Sequence, residues 1–199
     1  MLHPSTETRQ AVSLRPARRD ERWLIVRRVL RERLDPTKLK WQRFVMAEGA
    51  DGAILGFAQM KDWGEGVREF GSLLVEPAAR GQGIGGKLLV HFLEKYPRPV
   101  YLFCGSHNVA YYQRFGFRRL PADVELPVPL RKKWQMARFM VRVFKAKVAV
   151  MVLDSDYERS RSDGDLSASP TRIFIADHPS HDLPARTAQF IGTDSLQRG

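Results

Sequence analysis

A glycine-rich turn between an apolar run and an apolar-periodic helix constrains this chain most. Phe70 to Val75 reads as a strand, and Pro77 stops it. Arg80-Gly81-Gln82-Gly83-Ile84-Gly85-Gly86 then opens a helix expected from Gly83 to about Lys95. The first turn of a helix leaves backbone N–H groups without intrahelical partners, and the helix dipole adds partial positive charge there. Glycines let a phosphate come close to those amides. The segment is therefore expected to grip a phosphorylated ligand. The plainer alternative is a helix start with small residues for packing.

Several phosphate-binding patterns compete. Gly81 and Gly86-Lys87 have P-loop spacing, but Leu88 stands where a Ser or Thr would ligate Mg²⁺. A dinucleotide-binding unit belongs in a repeated βαβ series, and the preceding chain shows none. The pattern Arg/Gln-x-x-Gly-x-Gly/Ala is met in full by Arg80 to Gly85. That is the pyrophosphate loop of the GNAT N-acetyltransferases, which this chain resembles. Leu73-Leu74-Val75-Glu76-Pro77 also looks like that family's fourth strand. A second block, Ala110-Tyr111-Tyr112-Gln113-Arg114-Phe115-Gly116-Phe117, resembles the family's helix-then-strand segment. Gly116 suits a helix C′ residue, and Phe117 restarts an extended run. The two blocks stand in the family's order, and the resemblance covers about Ala11 to Leu153.

The resemblance implies an acetyl-CoA-dependent N-acetyltransferase that moves an acetyl group to a primary amine by direct attack. It also implies fourth and fifth strands that part around the pantetheine arm. By position, Leu73, Leu74 and Val75 would offer backbone groups to that arm. The amides of Gly81, Gln82, Gly83, Ile84, Gly85 and Gly86 would hold the pyrophosphate, and Arg80 would add charge. Side-chain identity at Gln82 and Ile84 should then matter little. Tyr112 falls on the family's acid tyrosine. A phenol of ordinary pKa near 10 is protonated at neutral pH and can donate to a departing thiolate; its plain alternative is packing with Tyr111 and Phe115. Asn108 is a candidate for the pantetheine amide, or equally a helix cap. The family's frequent Asn lies where this chain has Gly105.

The general base is less well marked. Glu69 lies on the fourth strand, near where family members carry a basic carboxylate. A regular pleat would put it on one face with Gly71 and Leu73. It could instead be an exposed strand carboxylate. Ser72 could instead orient a water, and Glu48 and His107 are further candidates. Direct attack needs no covalent enzyme intermediate, so Cys104 reads as a small buried hydrophobe. No His, Asp or Glu spacing suggests a metal site.

Composition sets the outer limits. The 199 residues are 43% hydrophobic, enough for one core. No apolar run approaches the roughly 20 residues of a membrane span, and the N-terminus has no signal-like apolar stretch. One cysteine excludes an internal disulfide framework, so a reduced, cytoplasmic setting is the default. The net charge of +11 is uneven: 28 basic against 14 acidic residues over 1–153, and 5 against 8 from Asp154 onward. That excess favours a phosphorylated cofactor and an acidic acceptor. No nucleic-acid motif accompanies it.

The remaining chain reads as an α/β domain with a mixed, mostly antiparallel sheet flanked by helices over 11–153. Ala11 to Arg15 is a first strand. Asp20 is an expected N-cap for a helix over Glu21–Arg33, with Trp23, Ile25, Val26, Val29, Leu30 and Leu34 on its apolar period and arginines facing solvent. Trp41–Glu48, Ile54–Asp62 and Val67–Val75 form a meander joined by Gly49–Gly52 and Gly64–Gly66. Pro99–Cys104 is a strand, His107–Phe115 a helix and Phe117–Leu120 a strand. Pro121–Pro129 is expected to be irregular, Arg131–Phe144 a basic amphipathic helix, and Lys147–Leu153 the closing strand. Residues 154–199 are rich in Ser, Asp and Pro and are expected to be a disordered tail, with Arg172–Ala176 its one apolar cluster. A non-enzymatic acyl-CoA sensor is the alternative function.

Overall fold

The computed structural model describes residues 11–144 and 147–154. The polar N-terminus and the tail, with the Arg172–Ala176 cluster, lie outside the described residues. Among the described residues seven strands make one sheet: β1 (Val12–Pro16), β2 (Phe44–Gly49), β3 (Ile54–Gly64), β4 (Val67–Val75), β5 (Val100–Gly105), β6 (Arg118–Arg119) and β7 (Val148–Leu153). Their spatial order is β1-β2-β3-β4-β5-β7-β6. Neighbours pair antiparallel except β4 and β5, which are parallel. The helices are α1 (Arg22–Arg31), α2 (Ile84–Lys95), α3 (Val109–Gln113) and α4 (Val128–Phe144).

Alternation along the strands sorts the core onto two faces. On one face Met60, Phe70, Val100, Leu102 and Met151 pack against Ile84, Leu88 and Phe92 of α2 and Tyr112 of α3. On the other, Phe44, Met46 and Phe57 pack against Ile25 and Val29 of α1. Further along that second face, Val150 and Val152 meet Leu126, Leu130 and Trp134, the last two on α4.

Local chemistry corrects several boundaries. Asp20 is not the cap of α1. The chain enters through a 3₁₀ turn, Arg19–Glu21, where the Glu21 carboxylate accepts the Arg18 amide at 2.6 Å and the Arg15 guanidinium at 2.6 Å. Trp23 and Leu30 are exposed at 68% and 59%, so the buried stripe of α1 is narrower than its apolar period suggests. Arg28 is not simply solvated, since its Nη1 donates to Glu76 at 2.5 Å. Trp41–Arg43 is a 3₁₀ turn, and β2 starts at Phe44. The helix expected from His107 is a 3₁₀ turn, Ser106–Asn108, followed by the short α3. Helix α4 starts at Val128 instead of Arg131, with Pro129 in its first turn, where a missing N–H costs nothing.

Two irregularities in the β3–β4 hairpin decide which side chains meet. Glu65 and Gly66 both have positive φ, 51° and 75°, which matches a two-residue type I′ turn. The register then slips between Asp62 and Gly64, setting Lys61 opposite Glu69. It slips again past Gly71, where Ser72 has φ 53°, so that Phe57 faces Leu74. An extra residue in one strand reverses the facing of all that follow. Leu73 and Val75 accordingly pack on the α2 face, while Leu74 joins the α1 face. The regular pleat that would group Leu73 with Glu69 and Gly71 does not hold.

Candidate active site

Strands β4 and β5 pair only through Arg68–Phe70 and Val100–Leu102. Beyond Phe70 they part, and β5 continues to Gly105 bonded only to β7 on its other side. The β4 edge from Gly71 to Val75 is thereby free to bond an extended ligand. At its end Glu76, Pro77 and the 3₁₀ turn Pro77–Ala79 lead into the glycine loop.

Gly81 and Gly83 adopt φ of 79° and 77°, with open space where a Cβ would stand. Gly83 caps α2, whose first turn carries no acidic residue. A hollow there is lined by Val75, Ala79, Arg80, the four loop glycines, Ile84 and Tyr111. Left-handed glycines, free helix-terminal amides and a shaped hollow are what a pyrophosphate cradle requires. Arg80 is exposed beside it, its Nε donating to the Val75 carbonyl at 3.2 Å. Gln82 is exposed, but Ile84 is 1% exposed and anchors α2 in the core. Its side chain therefore matters for packing.

Tyr111 and Tyr112 divide their work. A Cβ at Gly85 would lie 2.8 Å from Tyr111 Oη, so Tyr111 closes the hollow against the loop, with the Arg114 guanidinium 5.1 Å above its ring. Burial pushes its phenol up to about 12. Tyr112 is 9% exposed, its ring edge-on to Phe70, Phe117 and Tyr111. Burial drives its phenol far above 10, with Cys104 and Tyr111 adding to the rise, so it holds its proton. Cys104, 9% exposed, has its thiol pushed up to about 11 by burial. Asn108 is half-buried at the start of α3 and makes no side-chain cap bond. The His107 ring fills the space beside Gly105, where a Cβ would come within 2.5 Å of it. No Asn fits there without moving that ring.

The opposite face of the same strands carries a buried charge cluster. Glu69 is 2% exposed, which removes the reading of an exposed strand carboxylate. Its Oε2 accepts from Trp63 Nε1 at 2.9 Å, and its Oε1 accepts from Lys133 Nζ of α4. Lys61, fully buried, has its ammonium 3.8 Å from Glu69 and donates to Asp35 at 2.6 Å. Lys133 also reaches Asp35, at 2.5 Å. Burial works to raise the Asp35 carboxyl, but the two ammonium groups outweigh it and hold it below the usual range. Burial lowers the Lys61 ammonium against the opposing pull of Glu69 and Asp35. Next to this cluster Gln59 donates to Ser72 Oγ at 3.0 Å, leaving its buried Oε1 without a partner. Glu48 is bound to Arg15 on the β1–β2 edge, which occupies it as an ion-pair partner.

Sequence reasoning passed over Asp35, Lys61, Lys133 and the loop-facing role of Tyr111. A lysine between Met60 and Asp62 in a mostly apolar strand was the one available signal. Among the described residues no cluster of His, Cys, Asp and Glu side chains could hold a metal ion, and no helix is long and apolar enough to cross a membrane.

The site thus combines parted parallel strands, a glycine cradle at the start of the helix that joins them and a buried carboxylate on the other face of the sheet. Residues 40–119 match the family model described as an acetyltransferase (GNAT) domain. No curated protein matches the chain. Among solved structures it is similar to Rv2747 from Mycobacterium tuberculosis in complex with CoA and NLQ, at 19% identity and TM-score 0.57, covering 71% of this chain and 98% of that one. It is also similar to N-acetylglutamate synthase from Neisseria gonorrhoeae, complexed with coenzyme A and N-acetyl-glutamate. That match has 21% identity and TM-score 0.54, and covers 70% of this chain. The match spans only 34% of the Neisseria protein. A GNAT-family acetyltransferase from Staphylococcus aureus Mu50 aligns at 13% identity and TM-score 0.50, over 72% and 99% of the two chains. These likenesses establish the shared fold.

Proposed function

We propose that this chain is an N-acetyltransferase that moves the acetyl group of acetyl-CoA to a primary amine by direct attack. One observation carries the reading: β4 and β5 part beyond Phe70, with the buried Glu69 beside the parting and the glycine cradle beyond the far end of the free β4 edge. A ligand held by its pyrophosphate at Gly81–Gly86 can run along the free edge of Leu73, Leu74 and Val75 toward the parting. Arg80 adds charge beside the cradle, and Asn108 is positioned at the start of α3 to meet the pantetheine arm. The thioester that acetyl-CoA supplies is activated toward an amine.

The chain's own residues then have three tasks. Glu69 accepts the proton that an ammonium must lose before it can attack. Tyr112, kept protonated by burial, donates to the sulfur as the carbon–sulfur bond breaks. The apolar walls of Phe70 and Tyr111 keep water from the thioester. Gln59 Oε1, buried and unpartnered, is available to hold an acceptor N–H. The basic excess of residues 1–153 favours an acidic acceptor, small molecule or peptide. A buried free thiol at Cys104 suits a reducing, cytoplasmic setting.

Calorimetry with acetyl-CoA, followed by an acceptor screen that monitors free thiol, tests this reading. Gly83→Asp should abolish acetyl-CoA binding in folded protein, and Tyr112→Phe should lower turnover by about 10²–10⁴-fold with little change in cofactor affinity. Unchanged binding in the first variant, or less than about threefold loss in the second on that scale, would remove the assignment it tests. The alternative is a non-enzymatic acyl-CoA sensor, favoured by the Lys133 ammonium seated on Glu69. It predicts binding without thiol release for every amine offered.

A further inference from the structure

Lys133 sits where an acceptor amine would have to sit. Its ammonium bonds Glu69 Oε1, and that same oxygen lies 3.3 Å from where a Cβ on Gly71 would stand, at the first residue of β4 beyond the β5 pairing. On the other side the ammonium is 4.4 Å from the ring centroid of Phe103, the first residue of β5 beyond the pairing. One amine thus straddles both strands where they part, in contact with the carboxylate placed to deprotonate it. The Lys133 side chain is only 10% exposed, whereas its neighbour Lys132 is exposed. A surface lysine forming an ordinary ion pair would occupy neither strand.

We propose that Lys133 is a modification site: its ε-amine is N-acetylated within its own chain by acetyl-CoA bound between β4 and β5. This rests on the acetyl-CoA reading above. Glu69 takes a proton from the ammonium, and the freed Nζ lone pair attacks the thioester carbonyl carbon. The new carbon–nitrogen bond forms as the carbon–sulfur bond breaks. The thiolate leaves with a proton from Tyr112, giving coenzyme A and acetyl-Lys133. The nitrogen sheds its second proton as the amide forms, which restores Tyr112, and the proton on Glu69 is lost to solvent, so the sum is one amide formed, one thioester consumed and one proton released. The product has no charge. Glu69 and Asp35 then share Lys61 alone, α4 loses an anchor to the sheet, and the acceptor side of Glu69 is open to an external amine. Lys133 is in this sense a tethered first substrate whose consumption admits others.

The test uses the full chain with acetyl-CoA and no external amine, followed by peptide mapping by mass spectrometry. One acetyl group per chain should accumulate on Lys133, ahead of Lys132, with a rate constant that does not change with protein concentration. Acetic anhydride at low dose should give the reverse order, because chemical acylation prefers the exposed amine. Tyr112→Phe should slow labelling by about the same factor as it slows turnover, about 10²-fold or more. Lys133→Arg keeps the charge at α4 and should lose the label from that peptide. A chain that acetylates an external amine while Lys133 stays unmodified would overturn this inference and leave the activity standing. Labelling whose rate constant rises with protein concentration would overturn its intramolecular character. Failure to bind acetyl-CoA would overturn both.

Discussion

The charge cluster behind β4 makes a strong demand on stability, and Glu69→Gln exposes it. Two carboxylates, Asp35 and Glu69, face two ammonium groups, Lys61 and Lys133. The amide oxygen that replaces the carboxylate can still accept from Trp63, but two cations then share Asp35. Removing one partner from a buried ion pair typically costs about 3–5 kcal/mol. Asp35 touches both lysines, at 2.6 and 2.5 Å, and its side chain is 32% exposed. Solvent and that carboxylate soften the loss, which places the expected cost near the lower end, about 3 kcal/mol. For a domain of this size the melting temperature should fall by about 6–12 °C. Adding Lys61→Met restores neutrality and fills the same buried space with an apolar chain. The double variant should return to within about 1.5 kcal/mol of the parent, since buried pairs are often replaceable by apolar residues. Urea unfolding followed by tryptophan fluorescence measures all three proteins. A cost for Glu69→Gln below about 1 kcal/mol, the value of a surface pair, would refute the buried-cluster account. So would two additive losses.

Other outcomes follow from single contacts. Because Asp35 ionises below its ordinary value when folded, its contribution is complete above about pH 4 and is lost as pH falls through its folded pKa. Asp35→Asn should start less stable and show a shallower acid limb in urea midpoints between about pH 5 and 2. Gly85→Ala should keep the fold but push Tyr111 out of the hollow, weakening acetyl-CoA binding by about 1–3 kcal/mol, the usual range for overpacking; calorimetry reads it. Cys104 should react with a thiol reagent at pH 8 roughly 10²-fold more slowly folded than in urea, because its thiolate is scarce and shielded. A chain ending after Asp156 should stay folded and bind acetyl-CoA, since it keeps the Asp154 carboxylate that Arg118 holds at 2.6 Å. Circular dichroism and calorimetry would show a loss.

Local signals were legible where chemistry is local. The glycine loop, the order of strands and helices and the tight Gly64–Gly66 connection between β3 and β4 all depend on neighbours in sequence. The side chains opposite Glu69 do not. A type I′ turn at Glu65–Gly66 with regular pairing would set Lys61 across from Phe70, and only the slip near Trp63 brings Lys61 to Glu69. Nothing in the residues 61–64 announces that slip. Asp35 and Lys133 reach the cluster from a loop after α1 and from a helix after β6, contacts of long range that no periodicity encodes. In sequence, Asp35 stands beside Pro36 just past a helix, and Lys133 is one of several basic residues on the Arg131–Phe144 helix. The narrow buried stripe of α1 has the same origin: a helix knows its own period, but only the sheet beneath decides how much of that period is covered.

The positive-φ serine in β4 makes the strand intolerant of length changes. Substitutions between Glu69 and Arg80 alter one side chain at a time. Deleting a single residue beside Ser72 would shift the phase of the segment that follows. Leu73 or its successor would turn toward the acceptor side, Leu74's place under α1 would be taken by a residue meant for α2, and the glycine cradle would be drawn toward the carboxylate by one step along the strand. The spacing between Glu69 and Arg80 therefore behaves as a ruler between proton acceptor and phosphate grip, and it can be read in any related chain as a count of residues before any side chain is compared.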